Sequence, residues 1–154
     1  MTTAKLLGLA LLASASLVPA TAGAAPVADG GRKFTTPMSG PEEVGGGDAD
    51  GTATGSITVN VGQNRVCWEF TNVNNITAQH RAHIHKQAPG VNGPIVVNFF
   101  NLAVGQQGPL TGCTTEALSR PLLIDIIQNP QDYYLNLHNE PFPGGAVRGQ
   151  LEKK

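Results

Sequence analysis

The sequence predicts an all-β domain, a Greek-key β-sandwich or barrel of about seven to eight strands with one short helix. Three observations predict it. Short runs rich in Val, Ile, Thr and aromatic residues alternate apolar and polar along much of the chain. Glycine (19) and proline (11) fall mainly between those runs, where turns belong. Only one stretch shows helical spacing. The balance of 10 Lys+Arg against 11 Asp+Glu, a net charge of -1, offers no field for nonspecific binding of nucleic acid.

Residues 1–24 read as a secretory signal peptide. Lys5 supplies the positive start, and the apolar run from Leu6 to Val18 is too short to span a bilayer comfortably. Small residues around Ala22 and Ala24 suit cleavage there. The sequence thus predicts a secreted or periplasmic protein with no integral membrane segment after processing. Residues 25–33 read as a flexible N-terminal segment, and 34–152 as the β domain.

Lys33–Met38 is the first expected strand. Ser39–Gly51 reads as a long mobile loop; its acidic residues do not match the spacing of a calcium-binding helix-loop-helix. Gly51–Val61 places Ile57, Val59 and Val61 on one strand face. Arg65–Val73 places Val66, Trp68 and Phe70 opposite Cys67 and Glu69. Asn75-Ile76-Thr77 is a glycosylation sequon, meaningful only in a host that glycosylates. Ala78–Lys86 sets Ala82 and Ile84 against His83 and His85. Ile95–Phe100 is another apolar run, and Asn101–Cys113 reads mostly as loop. Thr114–Gln128 is the helical candidate, with Thr115 or Ser119 as cap and Asn129-Pro130 as its end. Asp132–Asn139 sets Tyr133, Leu135 and Leu137 against Tyr134, Asn136 and His138. Ala146–Leu151 is the last strand.

Cys67 and Cys113 are the only cysteines, 46 positions apart. In an exported protein they can pair in one way only, as a disulfide; two buried thiols are the alternative.

His83 and His85, at i and i+2 on a strand, leave the same face. Two imidazoles on one strand reach one ion, and His138 on another strand is the best third ligand. His80 points the other way on strand spacing. Such a nitrogen set suits copper, with zinc second, better than calcium or magnesium. The alternative is a polar network in which these histidines bond to backbone, Asn136, Asn139 or Glu140. Arg148 and Tyr134 are candidates for orienting a ligand, although an arginine here also fits a salt bridge or a bond to backbone. No nucleophilic triad or phosphate loop is present, so catalytic residues are unknown.

Three segments together resemble the CHRD domain, named from chordin. They are Met38-Ser39-Gly40-Pro41-Glu42-Glu43-Val44, Thr77–Val97 with His-Arg-Ala-His-Ile-His, and Tyr133–Leu151 with Tyr-Tyr-Leu-Asn-Leu-His-Asn and Val-Arg-Gly-Gln-Leu. The resemblance runs from Phe34 to Glu152. It implies a secreted β-rich domain whose characteristic histidines fall on His83, His85 and His138 and whose closing arginine falls on Arg148. Gly45-Gly46 stands where prolines are usual, and Asn139 where threonine is common. A looser likeness links the His-x-His strand and arginine to copper–zinc superoxide dismutase, but the histidines are too few for a two-metal site.

Three functions follow as expectations. The first is an exported metal-binding β domain with a mononuclear copper site, acting in metal handling or redox chemistry. The second is a secreted interaction or matrix module with structural histidines and an extracellular or periplasmic protein partner. The third is a copper-dependent, superoxide dismutase-like oxidoreductase.

Overall fold

The computed structural model describes residues 30–153. The expected signal peptide, and residues 25–29 of the expected flexible segment, lie outside them. Eight antiparallel strands form one sheet curled into a nearly closed barrel. They are β1 (Arg32–Ser39), β2 (Thr52–Asn60), β3 (Arg65–Asn74), β4 (Arg81–Lys86), β5 (Ile95–Asn101), β6 (Thr111–Cys113), β7 (Tyr133–His138) and β8 (Val147–Gln150). The spatial order is β5-β4-β7-β8-β1-β2-β3-β6. Strands β1 to β3 make a meander, and β8 returns to lie beside β1 in Greek-key fashion.

The alternation read from the sequence sorts the two sheet faces. Ile57, Val66, Phe70, Ile84, Leu135 and Leu137 point inward and are buried in one core. The β1–β8 joint is narrow, with Ser39 opposite Arg148 as its one ladder pair. Pro37 of β1, opposite Thr54 of β2, has no N–H to give to a ladder. The Thr36 hydroxyl donates instead to the Gln150 carbonyl at 2.7 Å.

Between β5 and β6 the barrel is closed by side chains. Trp68 of β3 stacks on Phe99 of β5 with ring centroids 4.8 Å apart, and Phe100 lies 6.4 Å from the same indole. Register shifts in the β4–β5 ladder, between Ala82 and His83 and between Ile84 and His85, let β5 bury both phenylalanines. A cleft of about 550 Å³ remains along this seam, lined by Trp68, Phe99 and Pro109 among others.

Three expectations are corrected here. β1 starts at Arg32, inside the segment expected to be flexible, because Arg32 and Lys33 pair with Val59 and Thr58 of β2. Residues 111–113 form β6 rather than loop, with Cys67 opposite Cys113 and the two joined in a disulfide. The helix α1 is Arg120–Gln128, six residues shorter at its start than expected. Residues 114–118 instead run on along β3, with the Thr114 and Leu118 amides donating to the carbonyls of Val66 and Asn64. Pro121 sits in the first turn of α1, where it is tolerated. Leu123 and Ile126 bury the inner face of α1. Asp125 ties the helix to the barrel by accepting from the Tyr133 hydroxyl and pairing with Lys86 at 2.5 Å. Those bonds hold the Asp125 carboxyl down at about 2.

The disulfide anchors β6, a three-residue edge strand with few other ties. Replacing both cysteines with serine is expected to lower unfolding free energy by about 4 kcal/mol, from loop-closure entropy over this separation. Urea melts of the two proteins check this, with an unchanged midpoint as the contrary result.

Candidate metal centre

All six residues of β7 are buried. Tyr133, Leu135 and Leu137 face the core, so Tyr134, Asn136 and His138 face outward and are nevertheless covered. Their neighbours in register are His85, His83 and Arg81 of β4 and, on the other side, Gln150 and Arg148 of β8. The outer face of β4–β7–β8 is therefore a polar layer. The segments 40–48, 87–94 and 139–146 lie over it.

The loops supply carbonyl oxygens, and these fix the rings. The Gly93 carbonyl lies 2.9 Å from His85 Nδ1, and the Pro143 carbonyl 3.1 Å from His138 Nδ1. A carbonyl only accepts, so both Nδ1 atoms carry hydrogen and each Nε2 is left with a lone pair to accept with. His83 Nδ1 then donates to His138 Nε2 at 3.1 Å. His85 Nε2 is buried with no hydrogen-bond partner. The three imidazoles thus offer one nitrogen each within 4.8 Å of one another. None of the three bonds to Asn136, Asn139 or Glu140, the partners a purely polar network would use.

Burial sets their charge. It pushes His83 down to about 3, helped by the nearby His138, His85 and Arg81. His138 falls to about 4 for the same first reason, against the pull of the Pro143 carbonyl. His85 is lowered as well, again by burial, with the Gly93 carbonyl opposing. All three are neutral at pH 7, the state a metal ligand requires.

The residues fit a metal ion on three counts. Two imidazole nitrogens on one tetrahedral ion at 2.0–2.1 Å lie ~3.3 Å apart, close to the His83–His138 separation. Ring movement of about 1 Å brings the rest of the set to that spacing. The orphaned His85 Nε2 is a buried lone pair with nothing else to do. One rearrangement is required: His83 must carry its hydrogen on Nε2 to free Nδ1.

Tyr134 and Arg148 both lie beside the cluster. Tyr134 stacks flat on His85 at 4.7 Å, and the Arg148 guanidinium sits 3.4 Å over the Tyr134 ring. Arg148 is buried and donates to the carbonyls of Val91 and Ala88 and to the Gln150 side chain. It is an arginine bonded to backbone, pinning the same 87–94 segment whose Gly93 orients His85. The Gly93 amide in turn donates to the Tyr134 hydroxyl at 3.2 Å. A Cβ on Gly93 would lie 2.1 Å from the Lys86 carbonyl, so only glycine fits this close approach. His80 is fully buried and stands apart, its Nε2 accepting from Arg81 Nε at 3.2 Å.

Sequence reasoning missed Glu43. The loop expected to be mobile is pinned by the Asp48 amide on the Ala146 carbonyl and by bonds between Gly40, Gly47 and Gly51. It carries Glu43, 8 % exposed, onto Asn136, whose amide donates to the carboxylate. Burial pushes Glu43 up to about 7, and Arg148 and Asn136 oppose the rise. Its place in the Met38–Val44 segment was the available signal; nothing in that acidic, glycine-rich stretch marked which glutamate turns inward.

The CHRD domain model matches residues 34–151 of the chain. No curated protein and no solved structure matches it.

The raised Glu43 gives a pH test. Between pH 4.5 and 7 the folded state holds a proton that the unfolded state has lost, so this group costs stability as pH rises. Glu43→Gln removes the titration and keeps an oxygen for Asn136. The variant is expected to match the wild type near pH 4.5 and to exceed it by about 3 kcal/mol at pH 8. Urea melts at both values check this; an equal difference at the two would contradict it.

Proposed function

The chain belongs to the CHRD domain family, and from that premise and the three-histidine cluster we propose that it is an exported metal-binding domain with one mononuclear copper site. CHRD domains are extracellular modules, and the Cys67–Cys113 disulfide suits an oxidising compartment. Among the described residues no helix is long and apolar enough to cross a membrane. Export itself is part of the reading and rests on residues 1–24.

The observation that carries the metal reading is the convergence of three neutral imidazoles that includes a buried nitrogen lacking any partner. His83, His85 and His138 are the ligands. Gly93 and Pro143 hold two of the rings in the ligating tautomer through their carbonyls. Tyr134 and Arg148 position His85 and the loop over it. Copper is favoured because imidazole suits it, because it outranks zinc in affinity for such donors, and because both cysteines are committed to the disulfide. Zinc is the second choice. When bound, copper would supply one-electron chemistry, and three neutral imidazoles would hold it reversibly, so the site suits metal handling and redox chemistry alike.

One observation favours a second reading. His83 and His138 bond directly to each other, and His138 and His85 to backbone carbonyls, so the cluster also works as a structural network in a secreted interaction module. Such a module would recognise an extracellular or periplasmic protein partner. A superoxide dismutase-like enzyme requires, beyond metal, turnover that disappears with any one ligand.

Elemental analysis separates these readings. Protein purified without a histidine tag is expected to carry close to one copper per chain. The His83/His85/His138 triple alanine variant is expected to lose it while keeping its β-sheet circular dichroism. No stoichiometric metal after copper and zinc are offered and excess is washed away would overturn the proposal and leave the interaction module.

A further inference from the structure

The barrel leaves two strand edges unpaired, and they face each other across the seam. Strand β5 has only β4 beside it, and β6 has only β3. In an antiparallel ladder alternate residues turn their backbone N–H and C=O toward the neighbour, and the rest turn theirs away. The Leu102 amide donates to the His80 carbonyl, and the Lys86 amide to the Pro94 carbonyl, so the even-numbered residues along β4 serve β5. Asn98 and Asn101 lie opposite His83 and Arg81 and therefore turn their backbone groups away from β4. On β6 the Leu110 carbonyl accepts from the Phe70 amide, and the Thr114 amide donates to the Val66 carbonyl. Thr111 and Cys113 therefore turn theirs away from β3. Both rows border the cleft of about 550 Å³, whose walls are Val96–Asn101 on one side and residues 113–116 on the other.

Charge and polarity narrow what fits between those walls. From Gln87 to Thr115 the chain has no Asp, Glu, Lys or Arg. Sheet edges are ordinarily guarded by such charges, and β5 and β6 have none. The exposed large apolar side chains Val91, Ile95, Val104 and Leu110 all belong to this stretch; among the described residues only Val44 lies elsewhere. The floor of the cleft is apolar too, made by the stacked rings of Trp68 and Phe99. The one charged group on its walls is the exposed Glu116 carboxylate, where the chain leaves β6. A compact apolar molecule would cover the floor and leave both rows of backbone groups without partners. An extended chain meets the floor with side chains and both walls with its own backbone.

We propose that the β5–β6 seam binds an extended peptide segment of a partner protein as a ninth strand, uncharged along the cleft and carrying a Lys or Arg beside Glu116. The wall Val96–Asn101, at about 3.3 Å per residue, admits a segment of about five or six residues. Strands β5 and β6 run antiparallel to each other, so the guest is antiparallel to one and parallel to the other. Main-chain bonds supply its affinity, and Glu116 sets its register. The histidine cluster takes no part, so the proposal stands whether or not an ion is bound there.

Trp68 is the only tryptophan, so its fluorescence reports on the cleft directly. The full chain is titrated with acetyl-Lys-Val-Thr-Val-Thr-Val-amide and with acetyl-Val-Thr-Val-Thr-Val-Lys-amide, which place the charge at either end. One of them is expected to shift Trp68 emission to saturation at one peptide per chain. N-methylation of alternate residues in that peptide removes main-chain donors and is expected to weaken binding about tenfold or more. Glu116→Lys is expected to weaken it about threefold and to favour the peptide with Glu in place of Lys by a similar factor. Amide exchange supplies a second readout: Asn98, Asn101, Thr111 and Cys113 are expected to exchange freely in the chain alone and to become protected with peptide. Protection of those amides in the chain alone would mean a seam already closed, and protection that grows with protein concentration would assign the seam to a second copy; either overturns the proposal. Equal binding of the N-methylated peptide would reduce the cleft to an apolar pocket and overturn it as well, as would the absence of a saturable response to both peptides.

Discussion

Strand β7 is buried on both faces, and the rest of the molecule answers to that constraint. Its inner face is ordinary core. Its outer face carries Tyr134, Asn136 and His138, polar groups that cannot be left without partners away from water. The three covering segments resolve most of this, with backbone carbonyls and with the Glu43 carboxylate on the Asn136 amide, while Asn136 Oδ1 and His85 Nε2 stay without a partner. Carbonyls of Gly93 and Pro143 take the imidazole hydrogens, and those of Ala88 and Val91 take the Arg148 guanidinium. The loops are held by the site as much as the site by the loops. Their glycines and prolines are what let backbone come this close.

That arrangement has a chemical result. Buried imidazoles whose Nδ1 hydrogens are already used are neutral and oriented, and in His85 the remaining nitrogen has no partner. Binding an ion asks for a tautomer change at His83 and a small ring movement, and burial has already removed proton competition near neutral pH. The same burial makes the cluster costly without an ion, since His85 Nε2 remains unsatisfied. The orienting groups act at one remove. Tyr134 fixes the plane of His85 by stacking on it, and the Arg148 guanidinium packs on Tyr134.

Much of this was legible in the residues themselves. Period-two alternation placed Ala82 and Ile84 inward and His83 and His85 outward, and it separated Tyr133 from Tyr134. The i, i+2 histidines share a face for a purely geometric reason, and His138 joins them because β7 pairs with β4. That pairing is non-local and no local pattern encodes it; His138 stood out only as the other histidine on a strand, and the CHRD segments placed a characteristic histidine at the same position. The failures have physical causes. The apolar spacing of 114–128 looks helical throughout, but the disulfide and the carbonyls of Val66 and Asn64 hold residues 114–118 along β3. Residues 111–113 form a strand because Cys113 is tied opposite Cys67, not because of strand propensity. Glu43 reads as one of several loop acids; its burial depends on Asn136 and Gly145, far away in sequence.

The most direct test of the account is the tautomeric state of the three rings. Long-range 1H–15N spectra of the imidazoles, recorded at pH 7 without metal and after one equivalent of diamagnetic zinc, report each nitrogen separately. Neutral rings with hydrogen on Nδ1 of His85 and His138 are expected before metal. Zinc is then expected to shift Nε2 of those two rings and Nδ1 of His83 together, complete at one equivalent. Protonated rings at pH 7, or a zinc response confined to one histidine, would contradict it.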